Sequence, residues 1–462
     1  MTRKDDDIPV AEAVDDEAAV LEAVVVSHSD PRYRKRRRLI VGGVLLSFIS
    51  ILIIVIVLLT SSSSSTSTTA DDWTPVGSTL QGQSPNDLLG YDVALSKIQP
   101  QRLLLAVGVP NYDSDMARGT GAIQLHAWET TKGVITTTTT TTKTQWVGET
   151  AQTFLGTALR FHGSLLVVSA FRSNANAGSV MIYNVSYLED KTVLNATQLG
   201  STLYGSHEGD QFGFAVDIIN NAENDTSIWV VVGAPGYQNH TGLVQVYQYV
   251  VGSDWILHGE ALVGTTPGAE FGSAVAISGT RLAASARLFD QERGLVQLYE
   301  YQNDTAWKLH TTFEGNEQGD SFGRSLGLTD KLLAVGADNF GTDNQGMVRL
   351  YDLELQQEPW GSPWLIGEAQ DRLGFSLSLK ENCCAVGSRW HNAKRGQVTV
   401  YAGGSWNQQG SSVTGRGIVG DEFGYAVDMT EDCRFLVVGA PSANVTGAVA
   451  GGLVQFYEHD GV

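Results

Sequence analysis

The sequence predicts an all-β fold: a seven-bladed β-propeller of four-stranded blades, preceded by one transmembrane helix and a disordered N-terminal tail. Three observations predict it. Residues 39–60 carry no charge. The chain after them repeats one β-rich unit seven times. The array starts with a strand that has no unit before it and stops on a unit that lacks its last strand. Composition agrees, since 51 glycines and only 17% charged residues suit short strands and many turns.

Residues 1–38 hold 8 basic and 9 acidic residues among Ala and Val and have no core of their own, which predicts a disordered tail. Residues 39–60 are 22 mostly branched apolar residues. A helix needs about 20 to cross a bilayer, and strands stop near about ten. Arg32, Arg34, Lys35, Arg36, Arg37 and Arg38 precede this run, and Ser61 to Thr69 are all Ser or Thr. Positive charge stays on the cytosolic side, so the expected arrangement is a type II signal-anchor with the N-terminus cytosolic. A cleaved signal peptide has a much shorter leader and an apolar core about half this long. Residues 61–72 read as a stalk, with the propeller at 73–459, at the cell surface or in an endomembrane lumen. Asn184, Asn195, Asn224, Asn239, Asn303 and Asn444 each begin an Asn-x-Ser/Thr triplet, and all six follow the span. They are the expected glycosylation sites, with further glycans expected on the stalk and on Thr136–Thr142.

The part after the span holds 22 basic and 41 acidic residues, a net charge of −19. That excludes nucleic acid, which needs a basic stripe. Cys383, Cys384 and Cys433 are too few for a disulfide scaffold. An odd count permits at most one internal bridge, and none is assigned. Vicinal Cys383 and Cys384 fall in one expected strand and so point to opposite faces.

Three landmarks define the unit. The first is an acidic residue, then Phe or Leu, then Gly: Asp87-Leu-Leu-Gly90, Phe154-Leu-Gly156, Asp210-Gln-Phe-Gly213, Glu270-Phe-Gly272, Asp320-Ser-Phe-Gly323, Asp371-Arg-Leu-Gly374 and Asp421-Glu-Phe-Gly424. The third and fifth residues after each Gly are large and apolar, as in Val216 and Ile218, with small residues such as Ala215 between. That alternation predicts a strand. The second is Gly-Ala-Pro or a relic of it: Val107-Gly-Val-Pro110, Val168-Ser-Ala-Phe171, Val232-Gly-Ala-Pro235, Ala284-Ser-Ala-Arg287, Val335-Gly-Ala-Asp338, Val386-Gly-Ser-Arg389 and Val438-Gly-Ala-Pro441. Its small residues let backbones approach, and Pro ends a strand. The third is Gly-x-Val-x-x-Tyr or close to it, running from Gly121, Gly178, Gly242, Gly294, Gly346, Gly396 and Gly452. A strand led by Trp146, Trp255, Trp307, Trp364 or Trp406 usually follows.

Four strands per unit at this spacing match a propeller blade. Trp73-Thr-Pro-Val-Gly77 is a Trp-led outer strand ahead of unit one, while unit seven stops after Gly452–Tyr457. Pairing 73–80 with 452–457 closes the ring and leaves no unfinished blade.

These ordered landmarks resemble FG-GAP repeats, in the shorter form with Gly-Asp-x-Phe-Gly, Val-Gly-Ala-Pro and Gly-x-Val-x-Val-Tyr, over residues 73–459. The resemblance implies a propeller like the head of integrin α-subunits, which binds partners and does not catalyse. It also brings the expectation of calcium loops between the first two strands of a blade. Here those loops are mostly tight turns, such as Ser278-Gly-Thr-Arg281. Asn220–Asp225 is long and oxygen-rich with the wrong spacing, and Asp113-Ser-Asp115 is a weaker second candidate. No metal and no cofactor is expected.

The recurring Asp87, Asp210, Asp320, Asp371 and Asp421 read as turn caps. Tyr112, Tyr237, Phe289 and Phe340 recur four residues after the landmark Gly and read as inter-blade packing. Among the loop residues that do not recur, Arg172, Arg293, Trp390 and His391 are the expected ligand-binding residues, because aromatic and Arg side chains on variable loops mark interfaces. No nucleophile elbow, zinc spacing or phosphate loop is present. The expected function is recognition or adhesion, with a protein or glycan ligand on the upper face. The alternatives are a lumenal Golgi-type enzyme or its accessory domain, and a structural anchor to wall or matrix.

Overall fold

A computed structural model describes residues 72–459, apart from 101, 116, 132–133, 136–143, 149, 188–193, 221–226, 251, 253, 303–305 and 355–363. The tail, the 39–60 segment, most of the 61–72 stalk, Thr136–Thr142, Asn224 and Asn303 therefore lie outside the described residues. No helix among the described residues is long and apolar enough to cross a membrane.

The chain from 72 onward forms seven antiparallel sheets of four strands, taken in sequence order in the first six, with the fourth often broken into two pieces. In blade one, Val93–Gln99 is followed by Arg102–Val109, Ala122–Thr131 and the outer Val134–Ile135 and Thr144–Val147. The other inner strands are Leu159–His162, Ala215–Asn220, Phe271–Ser278, Phe322–Leu328, Leu373–Leu379 and Ala426–Met429. Each inner strand packs on that of the next blade, and the seventh packs on the first. The result is a ring around a central channel, as expected.

The seam is where the sequence places it. Trp73–Gln81 pairs antiparallel with Leu453–His459, from Trp73 opposite His459 to Gln81 opposite Leu453. Trp73 Nε1 donates to the Gln409 carbonyl of blade six at 3.1 Å. Trp255 does the same to Leu199 at 2.7 Å, and Trp307 to His258 at 3.0 Å. Asp72 accepts from the N–H groups of Ser411 and Trp73, at 2.8 and 2.9 Å, as Asp254 accepts from Ser201 and Trp255. The strand borrowed from the start of the chain thus repeats the contacts of an ordinary fourth strand.

Adjacent blades are joined at the upper end, where the Phe-Gly turns lie. Phe212, Phe271, Phe322 and Phe423 are fully buried. Each donates its backbone N–H to the preceding blade, as Phe212 does to Ala177 at 2.9 Å. The loops after the second strands differ in sequence, yet four share one backbone: single turns at Ser173–Asn176, Tyr237–His240, Phe289–Glu292 and His391–Lys394. These turns are left-handed, with φ of 51°, 55° and 64° at Asn174, Ala175 and Asn176. Such residues cost about 1–2 kcal/mol each, so something must hold them. The carbonyls of Asn176, His240, Glu292 and Lys394 accept from the next blade's Gln211, Glu270, Ser321 and Glu422 at 2.7–2.9 Å.

The third-landmark glycines allow this approach. A Cβ on Gly242, whose φ is +89°, would lie 2.0 Å from the Phe271 carbonyl oxygen. Gly242→Ala should therefore lose about 2–4 kcal/mol, combining left-handed strain with overpacking. Gly268→Ala has similar φ (+79°) but open space around it, so it should lose only about 1–2 kcal/mol. Chemical denaturation of both variants checks this; equal losses would refute the close-approach role.

One cysteine expectation is corrected. Cys383, on Cys383–Ser388 of blade six, is disulfide-bonded to Cys433, in the turn before Phe435–Ala440 of blade seven. The vicinal pair does point to opposite faces. Cys383 sits in the core between blades six and seven, and Cys384 in the core between five and six. Burial pushes the free Cys384 thiol up to about 12.

Candidate functional site

The channel is lined by the residues that follow the landmark glycines. The first of them form its upper rim: Tyr91, Thr157, Phe214, Ser273, Arg324, Phe375 and Tyr425. Unlike the landmark itself, this position varies, taking five residue types over the seven blades. Phe375 and Tyr425 lie 5.0 Å apart, and Tyr91 and Tyr425 5.2 Å. The rim is thus aromatic on most sides, with one cation, Arg324, 4.0 Å from the Phe375 ring centre.

The relics of Gly-Ala-Pro open onto the same region. Where Pro would stand, blade four carries Arg287, blade five Asp338 and blade six Arg389. Together with Arg324 and Arg372 they line a pocket beside the channel, walled by Phe214 and Phe375. Arg389 lies 3.8 Å from the Phe375 ring centre, and Arg372 3.8 Å from that of Trp390. Ion pairs hold three of the arginines: Arg287 to Glu270 at 2.7 Å, Arg372 to buried Asp338 at 3.2 Å, and Arg389 to Glu422 at 3.5 Å. Burial lowers the pKa of Arg324, against the opposing pull of Asp338. A guanidinium stays charged regardless.

Deeper in the channel lies a second charged group. Arg160 lines both the upper chamber and the lower one. Around it, Asp92, Asp217 and Asp428 bind across blade boundaries. Asp92 accepts from the Leu159 N–H at 2.7 Å, Asp217 from Ile277 at 2.9 Å, and Asp428 from Leu95 at 2.8 Å. Inner strands of neighbouring blades share no ladder, so these carboxylates supply the missing hydrogen bonds. Asp428 does so at the seam between blades seven and one. Burial pushes Asp92 up to about 6, with the Arg160 charge opposing it. Lys380 lies 3.0 Å from Glu431 and 3.6 Å from Asp428 at the lower end. Each aspartate is engaged in joining strands, which accounts for the cluster without any reaction.

The expected site residues do not converge as a set. Trp390 stacks beside Arg372, next to the arginine pocket, and His391 is its neighbour. His391 Nδ1 meets Asp371 Oδ1 at 3.0 Å. Arg293 is held by Asp290 at 2.6 Å and Glu314 at 3.5 Å, within its own blade. Arg172 is exposed and lies over Phe154 and Phe171, 5.1 and 5.5 Å from their ring centres. Tyr112, Tyr237, Phe289 and Phe340 pack against the inter-blade cores.

The capping role of the recurring aspartates is visible. Asp87, Asp210, Asp320 and Asp371 each accept a backbone N–H three residues earlier, at 2.9–3.0 Å. Asp421 instead holds Arg416 at 3.1 Å. Glu368, Asp371 and His391 place ligand-type atoms within 4.8 Å of one another. Both Asp371 oxygens are already engaged, however, one by His391 and one by the Glu368 N–H. The Asp113 carboxylate is likewise bound to the Gly119 N–H, and the unit-three loop Asn220–Asp225 lies, after Asn220, outside the described residues. Asn184, Asn195, Asn239 and Asn444 are exposed.

No protein-family model matches this chain, and a search of curated proteins finds no match.

Proposed function

We propose that this chain is an FG-GAP-type propeller, tethered outside the cytosol by a single span at 39–60, and that it recognises a ligand at its upper channel mouth. The observation that carries this reading is the arginine and aromatic pocket itself. It is concave, and its arginines come from three blades, at positions where the repeat departs from its own pattern. The chain enters the propeller at the opposite end, since Trp73 pairs with His459 beside the lower turn at Arg434. Tethering outside the cytosol is supported by the basic flank before residue 39 and by the exposed sequons. The Cys383–Cys433 bridge also supports it, since such bonds persist in oxidising compartments.

The test uses the full chain made in eukaryotic cells and purified in detergent micelles. Treatment with an N-glycosidase should shift its mobility, and an unshifted chain argues against the proposed topology. On glycan and protein arrays the parent should bind a discrete set of ligands, and the Arg389→Ala/Trp390→Ala variant should lose them. If that variant keeps the parent's binding, the mouth is not the recognition site.

A further inference from the structure

We infer that the pocket formed by Arg287, Arg324, Arg372 and Arg389 takes a carboxylate group of its ligand. This rests on the recognition reading and names the chemistry of what is recognised.

The body of the protein carries −19 after residue 60, yet four guanidiniums from three consecutive blades gather at one pocket. Asp338, Glu270 and Glu422 pair with three of them. Arg324 has no carboxylate within ion-pair distance among the described residues, and its head rests on Phe375 at 4.0 Å. The group is therefore one positive charge in excess. Glu292 also lines the pocket but is exposed at its rim, where solvent screens it.

A guanidinium has five N–H donors and no acceptor, and it keeps its charge. The Nε atoms of Arg287, Arg372 and Arg389 are buried without an acceptor, as is Trp390 Nε1. Buried donors left unpaired are costly, which is why native structures rarely keep them. The three arginines carrying these donors line the pocket beside Arg324, and oxygen atoms of a bound ligand would satisfy them.

One excess positive charge is balanced by a monoanion, while a phosphate dianion would meet Asp338, Glu270 and Glu422 with a surplus of its own. A planar carboxylate fits the guanidinium fork with two parallel bonds. The aromatic walls suit the apolar face of whatever ring or stem carries it. Two sources offer such a group: an acidic sugar, or the acidic end of a peptide.

The experiment is calorimetric titration of the full chain in detergent with four probes. These are a glucuronate-ended oligosaccharide, its neutral glucose-ended counterpart, a sulfated counterpart and a short peptide ending in Asp. One of the two carboxylate probes should bind at least tenfold more tightly than the neutral sugar, and which one does identifies the source. Arg324→Gln should weaken that binding at least tenfold. It should leave thermal unfolding unchanged, because Arg324 has no carboxylate partner to strand. Arg324→Lys, which keeps the charge and loses the fork, should fall between, and it serves as the test variant if Arg324→Gln does not fold.

Preference for the sulfated probe, or parent affinity in both Arg324 variants, overturns the carboxylate assignment. If the arrays yield a neutral ligand and neither carboxylate probe binds, the assignment fails while recognition at the mouth stands. If nothing binds in either experiment, both fail.

Discussion

Deleting residues 71–82 from the full chain is expected to collapse the whole propeller, not to fray one edge. Those residues contain the fourth strand of blade seven. Without them, Leu453–His459 becomes an open edge with unpaired backbone groups, and the ring becomes an arc. Trp73 is 6% exposed and sits in the core between blades six and seven, together with Cys383 and Leu436. Val76 and Leu80 pack on the other side, against the blade-one cluster. Trp73→Ala alone should lose about 3–5 kcal/mol, as truncations of buried tryptophans do. The deletion also removes the Asp72 bonds to Ser411 and the whole register with blade seven, so its loss should be larger. Thermal melting and limited proteolysis check this, and a deleted chain that melts like the parent would show that the seam is not a structural closure. Adding a synthetic 72–82 peptide should restore part of the lost stability by strand addition.

Most of the architecture is legible before any coordinate is known, because the blade's requirements are local and repeat. A glycine is needed wherever Phe or Leu of the next blade passes close, so Gly121 through Gly452 recur at one position. Small residues are needed in the second strands for the same reason. What is not legible depends on the neighbouring blade. Ser173–Asn176, Tyr237–His240, Phe289–Glu292 and His391–Lys394 share no residue pattern, yet each winds left-handed. Only a constant distance to the following glycine links them in sequence. The conformation is imposed by hydrogen bonds from the next blade's turn, and no local preference would select it. The Cys383–Cys433 bridge has the same character: its partners lie one unit apart, on facing parts of neighbouring blades.

The candidate site is legible in a different way, by exception. Arg287, Asp338 and Arg389 stand where the second landmark has Pro in other blades, and Arg324 stands where other blades place Tyr, Phe, Ser or Thr. These departures are visible in the sequence, but a loop-centred reading passes over them and picks Arg172 and Arg293. Both of those are variable loop residues, and Arg293 is tied within its own blade. Trp390 is the overlap between the two views, being both a loop residue and a neighbour of Arg372 and Arg389. Convergence on the channel depends on ring closure, so which exceptions meet is a tertiary fact.

Removing the Cys383–Cys433 bridge should weaken blade seven selectively and by a large amount. The bridge closes a loop of 50 residues, for which chain entropy gives about 4 kcal/mol, with measured losses for native bridges of about 2–5 kcal/mol. The Cys383→Ala/Cys433→Ala chain should show that loss in a denaturant titration, whereas Cys384→Ala should lose only the small packing term of a buried thiol. Thiol counting gives an independent check. The unfolded, unreduced parent should expose one reactive thiol, Cys384, and the reduced parent three, since the chain has three cysteines. Three thiols without reductant would mean the bridge does not form. The bridge and the seam should also act together. Blade seven is held to blade six through Cys433, to blade one through Asp428 and Leu95, and to the start of the chain through Trp73–Gln81. When the first strand is weakened, as in Trp73→Ala, the core that Trp73 shares with Cys383 loosens, and the bridge carries more of the attachment of blade seven to blade six. Losing both should therefore exceed the sum of the two separate losses, as expected for contacts that share one structural unit. Strict additivity in that double-mutant cycle would indicate that the seam and the bridge stabilise separate parts of the ring.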